Sequence, residues 1–296
     1  MLIPLSPAAV DRIIRIALEE DAPWGDLTSQ ALVPAAARVR ASLVARESGV
    51  LSGGPLFIAA MQLTDPSITV TFQKMDGEAF AAGEVLAIAE GPARSVLQAE
   101  RVALNFTQRL SGIATLTAQF VAEIAGTKAR IVDTRKTTPG LRYFERYAVR
   151  CGGGFNHRFS LSDAVMAKDN HLAVLAKSED GGLTEALRAG RARLPHTTHF
   201  EVEVDRLDQI EPVLAAGVDT VLLDNFSLED MRSAVEQIGS RALVEASGSV
   251  RLDTVAAIAR TGVDIISVGA LTHSVRSLDL GLDILPEMLP ESLPGA

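Results

Sequence analysis

The second half of this chain is paced by a repeat of about 21 residues. Short apolar runs end at Glu203, Asp224, Glu245 and Ser267, in steps of 21, 21 and 22 residues. Helical stretches over 206–216, 227–238 and 251–261 separate them. Strand and helix in alternation imply parallel strands joined by right-handed crossovers. TVLLD (220–224) and DIISV (264–268) are apolar at nearly every position, as strands covered on both faces must be. An earlier run, RIVDT at 130–134, reads as one more strand. The span from 130 to 275 is too short for eight such units, so an incomplete or distorted barrel of about six or seven parallel strands is expected. Ligands of parallel α/β folds sit at the carboxyl ends of the strands. Glu203, Asp224, Ser247, Gly248 and Gly269 should therefore meet on one rim.

The first hundred residues have another texture. Ser6 and Pro7 open a helix carrying Val10, Ile13, Ile14, Ala17 and Leu18. Residues 38–46, 68–72 and 85–89 read as strands, and Gly53, Gly54 and Pro55 open a further helix. This is a mixture of helices with an antiparallel sheet. Residues 93–124 are helical in period, but Ser111-Gly112 interrupts them, which predicts two helices meeting there. A domain boundary is expected near residue 110. That gives domains 1–110 and 111–276, and leaves room for residues 277–296 to return to the first.

Composition removes several classes of function. The net charge of −9 argues against general binding of nucleic acid or a membrane surface. One tryptophan and two tyrosines make a base-stacking platform improbable. A single cysteine, Cys151, rules out an internal disulfide and a four-cysteine zinc site, and it has no evident thiol partner for catalysis. Without a signal-like start or an apolar run of membrane-spanning length, a cytoplasmic protein is expected.

On this acidic background, residues 133–171 form a basic island. It holds Arg135, Lys136, Arg142, Arg146, Arg150, His157, Arg158 and Lys168, with Gly152, Gly153 and Gly154 at its centre. Arg135 and Lys136 follow Thr134 at a strand end, where a bidentate guanidinium and a point charge suit a phosphate or a carboxylate. The glycines allow close backbone approach to an anion, although neither a P-loop nor a dinucleotide fingerprint is present. Lys168 leaves the apolar run 164–167. Arg142, Arg146 and Arg150 fall on one helix and are expected to be structural or interfacial. No helical spacing supports a histidine metal site at His157 or His171.

Opposite lie the acids. Glu203 and Asp224, at successive strand ends, could hold Mg²⁺, hydroxyl groups or both, or could simply balance the local cations. Glu201, two residues before Glu203 and on the same face, suits a structural partner. Ser247-Gly248-Ser249 and Ser267-Val268-Gly269 resemble the phosphate-binding rims of barrels, with His273 as a further contact.

Taken in order, EDAPWGDLTS, ERVALNFTQRLSGIAT, DTRKTTPGLR, YAVRCGGGFNHR, AKDNH, EVEVD, LLDN, EASGS and GVDIISVGALTHS resemble the quinolinate phosphoribosyltransferases. The resemblance covers nearly the whole chain. It implies an N-terminal α/β sandwich followed by an incomplete α/β barrel. It also implies a pentosyltransferase that joins quinolinate to 5-phosphoribosyl 1-pyrophosphate, giving nicotinate mononucleotide, pyrophosphate and CO₂, with Mg²⁺ as cofactor. By resemblance, Arg135, His157, Arg158 and Lys168 bind the quinolinate carboxylates, and Lys136 serves substrate or pyrophosphate. Glu203 and Asp224 hold the ribose hydroxyls and Mg²⁺. Lys136, Lys168, Glu203 and Asp224 form the catalytic set, while Ser247, Gly248, Ser249, Ser267, Val268, Gly269 and His273 surround the 5-phosphate. The family's homodimer places Arg101 in the neighbouring active site. Two departures stand out: Ser249 where many members have a second glycine, and Ala167 where a bulkier residue is usual. The competing expectations are a related phosphoribosyltransferase of the molybdenum-uptake-associated type with another acceptor, and a non-catalytic sensor of the same ligands.

Overall fold

The computed structural model describes residues 2–175 and 182–285. The chain divides into two compact units. Of the described residues, one unit comprises those within 1–116, 143–153 and 275–285, and the other those within 117–142 and 154–274.

The first unit is built on antiparallel strands. These are β1 (Arg38–Ala45), β2 (Gly49–Val50), β3 (Thr69–Phe72), β4 (Ala79–Phe80) and β5 (Val85–Pro92). The second unit then contributes β6 (Arg130–Val132), β7 (Val165–Ala167), β8 (Phe200–Val204), β9 (Thr220–Asp224), β10 (Leu243–Ser247) and β11 (Ile265–Ser267), before β12 (Leu280–Ile284) ends the series in the first unit. The four-stranded sheet runs β12-β1-β5-β3, with β2 and β4 as a separate pair. Ala41, Leu43 and Ala45 of β1 alternate inward, and Leu86, Ala87 and Ala89 of β5 are buried beside them. β12, from the far end of the chain, lies antiparallel on β1 with Leu43 opposite Leu282. Of the expected return of 277–296, residues beyond 285 lie outside the described residues.

Local signals shape the helices of this unit. Pro7–Asp21 follows Ser6 with Pro at its first turn, although the Ser6 hydroxyl makes no cap bond. Gly54–Thr64 starts after Gly53 in a left-handed conformation, and the carboxylate of Asp76 accepts from the Gly53 and Gly54 N–H groups at 3.1 and 3.0 Å. That carboxylate does the work of a missing N-cap side chain.

One expectation is corrected here. The structure has a single helix over Ala93–Glu123, not two helices meeting at Ser111-Gly112. Ser111 sits in the helix because its hydroxyl bonds both the N–H and the C=O of Ser52, at 3.0 and 3.1 Å. Gly112 is glycine because a Cβ there would lie 2.2 Å from the Arg276 carbonyl oxygen. Both residues are packing devices. The division between the two units falls within this helix, six residues beyond the expected boundary near 110.

The second unit holds six parallel strands in the order β6-β11-β10-β9-β8-β7. β6 and β7 are consecutive in this unit yet sit at opposite edges, so the sheet is a barrel left open between them. Its register carries the sequence rhythm into space. Glu203 and Glu245 both pair with Leu222, and Ser247 pairs with Asp224. Side chains two apart share a face, so Glu201, Glu203, Asp224, Glu245, Ser247 and Ser267 all project from the same side. Among the described residues, no helix is long and apolar enough to cross a membrane.

Candidate active site

The carboxyl ends of the parallel strands surround a cavity of about 620 Å³. Its lining includes twelve of the residues expected at the site: Thr134, Arg135, Lys136, His157, Arg158, Lys168, Glu203, Asp224, Ser247, Gly248, Ser249 and Ser267. An adjoining cavity of about 350 Å³ adds Gly269 and His273. Val268 lines neither cavity, because its side chain is 1% exposed and its N–H donates to the Val132 carbonyl at 3.0 Å. Arg101 is exposed on the helix Ala93–Glu123, in the other unit.

The basic wall is held by its backbone. Asp133, fully buried at the end of β6, accepts from the His157 N–H at 2.9 Å and from the Asn156 amide. This ties the loop after the three glycines to the strand that delivers Arg135 and Lys136. Arg142 braces the same loop, donating to Thr137 Oγ1, the Phe159 carbonyl and the Arg135 carbonyl at 3.1, 3.2 and 3.4 Å. Its role is structural, as expected. The Thr272 hydroxyl donates to the Lys136 carbonyl at 2.7 Å. Arg158 anchors one guanidinium nitrogen on the Ala164 carbonyl at 3.0 Å. Burial, and then the nearby Arg135 charge, lower its pKa. The Nε of Arg135 is buried without a hydrogen-bond partner among the described residues. A buried, unpaired guanidinium N–H at a cavity wall favours an anionic ligand that would complete it.

Lys168 bridges the two sides of the cavity. Its Nζ lies 2.7 Å from Glu203 Oε2. Asp224 accepts from the Asn225 amide at 3.0 Å. Glu203 and Asp224 thus offer hard oxygen donors to the cavity. That donor set fits Mg²⁺, which takes one or two protein carboxylates and fills its remaining positions with phosphate oxygens and water.

His157 is placed differently from the expectation of a direct carboxylate contact. Its Nε2 turns inward, 3.3 Å from Glu201 and 3.4 Å from Glu245, both almost wholly buried. Burial opposes charging the ring, but the two carboxylates outweigh it and raise the His157 pKa to about 10. The Arg158 N–H, however, points at Nδ1 from 2.7 Å, a contact that a doubly protonated ring would have to give up. Either way, Nε2 carries a proton that faces the two acids. Burial, and then the neighbouring Glu245, raise the pKa of Glu201, with His157 opposing. His157, Glu201 and Glu245 lie close enough together to suggest a metal site. The ring offers them a proton and no lone pair, so they do not fit one. Glu201 is the structural partner expected of it. From the sequence Glu245 is legible only as a strand end, and its signal is its position in the same 21-residue rhythm as Glu203.

Asn225, Met166 and Leu222 also line the main cavity and were not singled out from the sequence. Met166 and Leu222 give part of the wall an apolar surface suited to a flat ring.

A basic wall facing carboxylates over the open end of a parallel barrel defines an enzyme for anionic, hydroxyl-bearing substrates. Comparison with known proteins makes this specific. Residues 26–111 match the model of the quinolinate phosphoribosyl transferase N-terminal domain, and residues 113–283 match that of the C-terminal domain. The chain belongs to the quinolinate phosphoribosyltransferase family, pentosyltransferases of NAD biosynthesis. It is 45% identical over 279 residues to a nicotinate-nucleotide pyrophosphorylase [carboxylating] of Mycobacterium leprae, covering 92% of this chain and 95% of that protein. A probable enzyme of the same name from Bacillus subtilis is 41% identical, with 90% of each chain covered. Among solved structures, the nicotinate-nucleotide pyrophosphorylase of Francisella tularensis superposes with a TM-score of 0.90 at 38% identity, over 96% of this chain and 99% of that one. NadC of Streptococcus pyogenes gives 0.90 at 41% identity, over the same shares.

Proposed function

We propose that this chain transfers the phosphoribosyl group of 5-phosphoribosyl 1-pyrophosphate to the ring nitrogen of quinolinate, with loss of CO₂, yielding nicotinate mononucleotide and pyrophosphate. The observation that carries this reading is the single cavity in which Arg135, Arg158 and Lys168 stand across from Glu203 and Asp224. An acceptor with two carboxylates needs the first group, and a donor with ribose hydroxyls needs the second.

Arg135, Arg158 and Lys168 bind the two carboxylates, and His157 shapes the floor beneath them. Each charged hydrogen bond contributes roughly 1.5–3 kcal/mol, so a monocarboxylate acceptor loses about ten- to two-hundred-fold in binding for each such bond it cannot make. Lys136 serves the pyrophosphate. Glu203 and Asp224 hold the ribose hydroxyls and Mg²⁺, and their charge suits the positive character that develops at the ribose C1 as pyrophosphate departs. When bound, Mg²⁺ supplies charge neutralisation for the pyrophosphate oxygens. The turns at Ser247-Gly248-Ser249 and at Gly269, with His273, receive the 5-phosphate through backbone N–H groups, while the Val268 N–H stays committed to the Val132 carbonyl. Bond formation at the ring nitrogen makes it quaternary. The carbanion left by CO₂ loss is stabilised beside that positive nitrogen and is quenched by a proton, so no residue forms a covalent intermediate.

The protein acts in the cytoplasm as a homodimer, in which Arg101 of one copy serves the site of the other. Arg101 is exposed and belongs to the unit that does not carry the cavity, which supports this reading. The two matched family models bear the name of the quinolinate enzyme, which favours it over the molybdenum-associated alternative.

Quinolinate, phosphoribosyl pyrophosphate and Mg²⁺ incubated with the protein should yield nicotinate mononucleotide and CO₂ in equal amounts, with nicotinate a far poorer acceptor. Absence of product at high enzyme concentration, or a preference for the monocarboxylate, would refute the assignment.

A further inference from the structure

We propose that Asn225 is a positioning residue that locks the Asp224 carboxylate to the Gly248 turn, so that two parts of the donor site move as one. Asn225 follows β9 directly and holds a left-handed backbone conformation, with φ of 55°. That conformation is costly for most side chains and is tolerated best by glycine and asparagine. Three contacts converge on the residue. Its Nδ2 donates to Asp224 Oδ2 at 3.0 Å. Its N–H donates to the Ser247 carbonyl at 3.0 Å. Its Oδ1 lies against Gly248, where an added Cβ would come within 2.2 Å of it.

The chemistry selects this residue type. Only the NH₂ end of an amide can face a carboxylate, so the Asp224 contact fixes which way the side chain points and turns its oxygen toward Gly248. Glycine would adopt the backbone conformation easily but has no amide. Aspartate would keep the size and the backbone preference, but would set a second carboxylate against Asp224. Asparagine alone satisfies the conformation, the donor and the fit to Gly248.

The inference rests on the reading of Asp224 as a ribose and Mg²⁺ contact and of Ser247-Gly248 as a phosphate contact. Loss of the amide should then weaken binding of the donor and leave the acceptor untouched. In Asn225→Gly the KM for phosphoribosyl pyrophosphate should rise about tenfold or more, the scale of one charge-assisted hydrogen bond, with the KM for quinolinate unchanged. Calorimetric titration of phosphoribosyl pyrophosphate with Mg²⁺, without acceptor, should show the same weakening, and the thermal midpoint should stay near that of the parent. Asn225→Asp, which keeps size and backbone preference, gives an independent reading if the glycine variant folds poorly, and should also bind the donor weakly. Donor affinity equal to the parent's in either folded variant, or an equal loss for both substrates, overturns the proposal. A parent protein that binds donor but turns over no quinolinate would instead refute the assigned reaction.

Discussion

The two units treat buried polar groups in opposite ways. In the antiparallel unit they are matched. Glu145 is fully buried and meets Arg109 at 2.9 Å, and Arg109 also donates to the Val275 carbonyl at 3.2 Å. Asp76 is part-buried, and its carboxylate receives two N–H groups and the Tyr147 hydroxyl, the last at 2.9 Å. Among the described residues, two buried side-chain atoms of this unit lack hydrogen bonds, Arg40 Nε and Glu84 Oε2, but they lie 2.9 and 3.2 Å from Glu90 and Lys74. In the parallel unit, Arg135 Nε, Glu201 Oε1 and Glu245 Oε1 are buried without hydrogen-bond partners among the described residues. Glu201 and Glu245 line a cavity of mixed polarity of about 350 Å³, with room for ordered water. Unsatisfied buried groups cost stability. The unit that bears more of this cost is the one that carries the proposed active site, where preorganised charge is worth more than a completed network.

The sharpest way to break this contrast is to remove charge from each unit and ask what is lost. In the parallel unit, Lys168→Ala should lower kcat/KM by about 10²–10³-fold, the scale of one preorganised electrostatic contact. The thermal midpoint should hardly move, because Lys168 is half-exposed and its bond to Glu203 contributes little to folding. Arg101→Ala should be equally inactive. If two copies share a site, mixing the two inactive variants under subunit exchange should recover activity in hybrid dimers. Failure to recover, with exchange demonstrated, removes Arg101 from the site.

In the antiparallel unit the ranking should invert. Glu145→Ala leaves the Arg109 guanidinium without its buried carboxylate. Breaking a buried pair in this way costs about 3–5 kcal/mol, and the lower end applies because Arg109 is a quarter exposed. Denaturant titration should show that loss. The molecules that remain folded should keep most of their kcat. A kcat loss as large as that of Lys168→Ala would show that the two units are not separate in function.

The same division explains what could be read from the sequence. The parallel unit announced itself, because its strands recur at a fixed step and its charged residues stand at their ends. Glu203, Asp224 and Ser247 land on one face because the register preserves the 21-residue period. The features that escaped depend on partners far away in the chain. Gly112 reads as a helix breaker until the Arg276 carbonyl is placed over it. Residues 143–153 lie within the basic island, yet they belong to the antiparallel unit, whose core receives Phe144, Ala148 and Val149. Nothing in local periodicity records that exchange. Asn225 carried a faint signal, an asparagine directly after a rim aspartate, but its left-handed backbone becomes visible only in the fold.

The smallest effect tests whether strain, like unsatisfied charge, gathers at the site. Ser249 has φ of 49°, in the left-handed region, next to Gly248. A serine pays about 1–2 kcal/mol for that conformation and a glycine does not, although glycine loses part of the gain through the freedom of the unfolded chain. Ser249→Gly should therefore raise stability by about 0.5–1 kcal/mol in denaturant titration, with donor binding unchanged or slightly tighter as the Cβ leaves the phosphate turn. An equal replacement in the antiparallel unit, Ser67→Gly, should act the other way. Ser67 donates its N–H and its hydroxyl to Asp65 at 2.9 and 2.7 Å, and glycine keeps only the first of these bonds. Opposite signs would place the strain at the binding turn, whereas a loss of stability in Ser249→Gly would mean that the serine makes contacts there that offset its backbone cost.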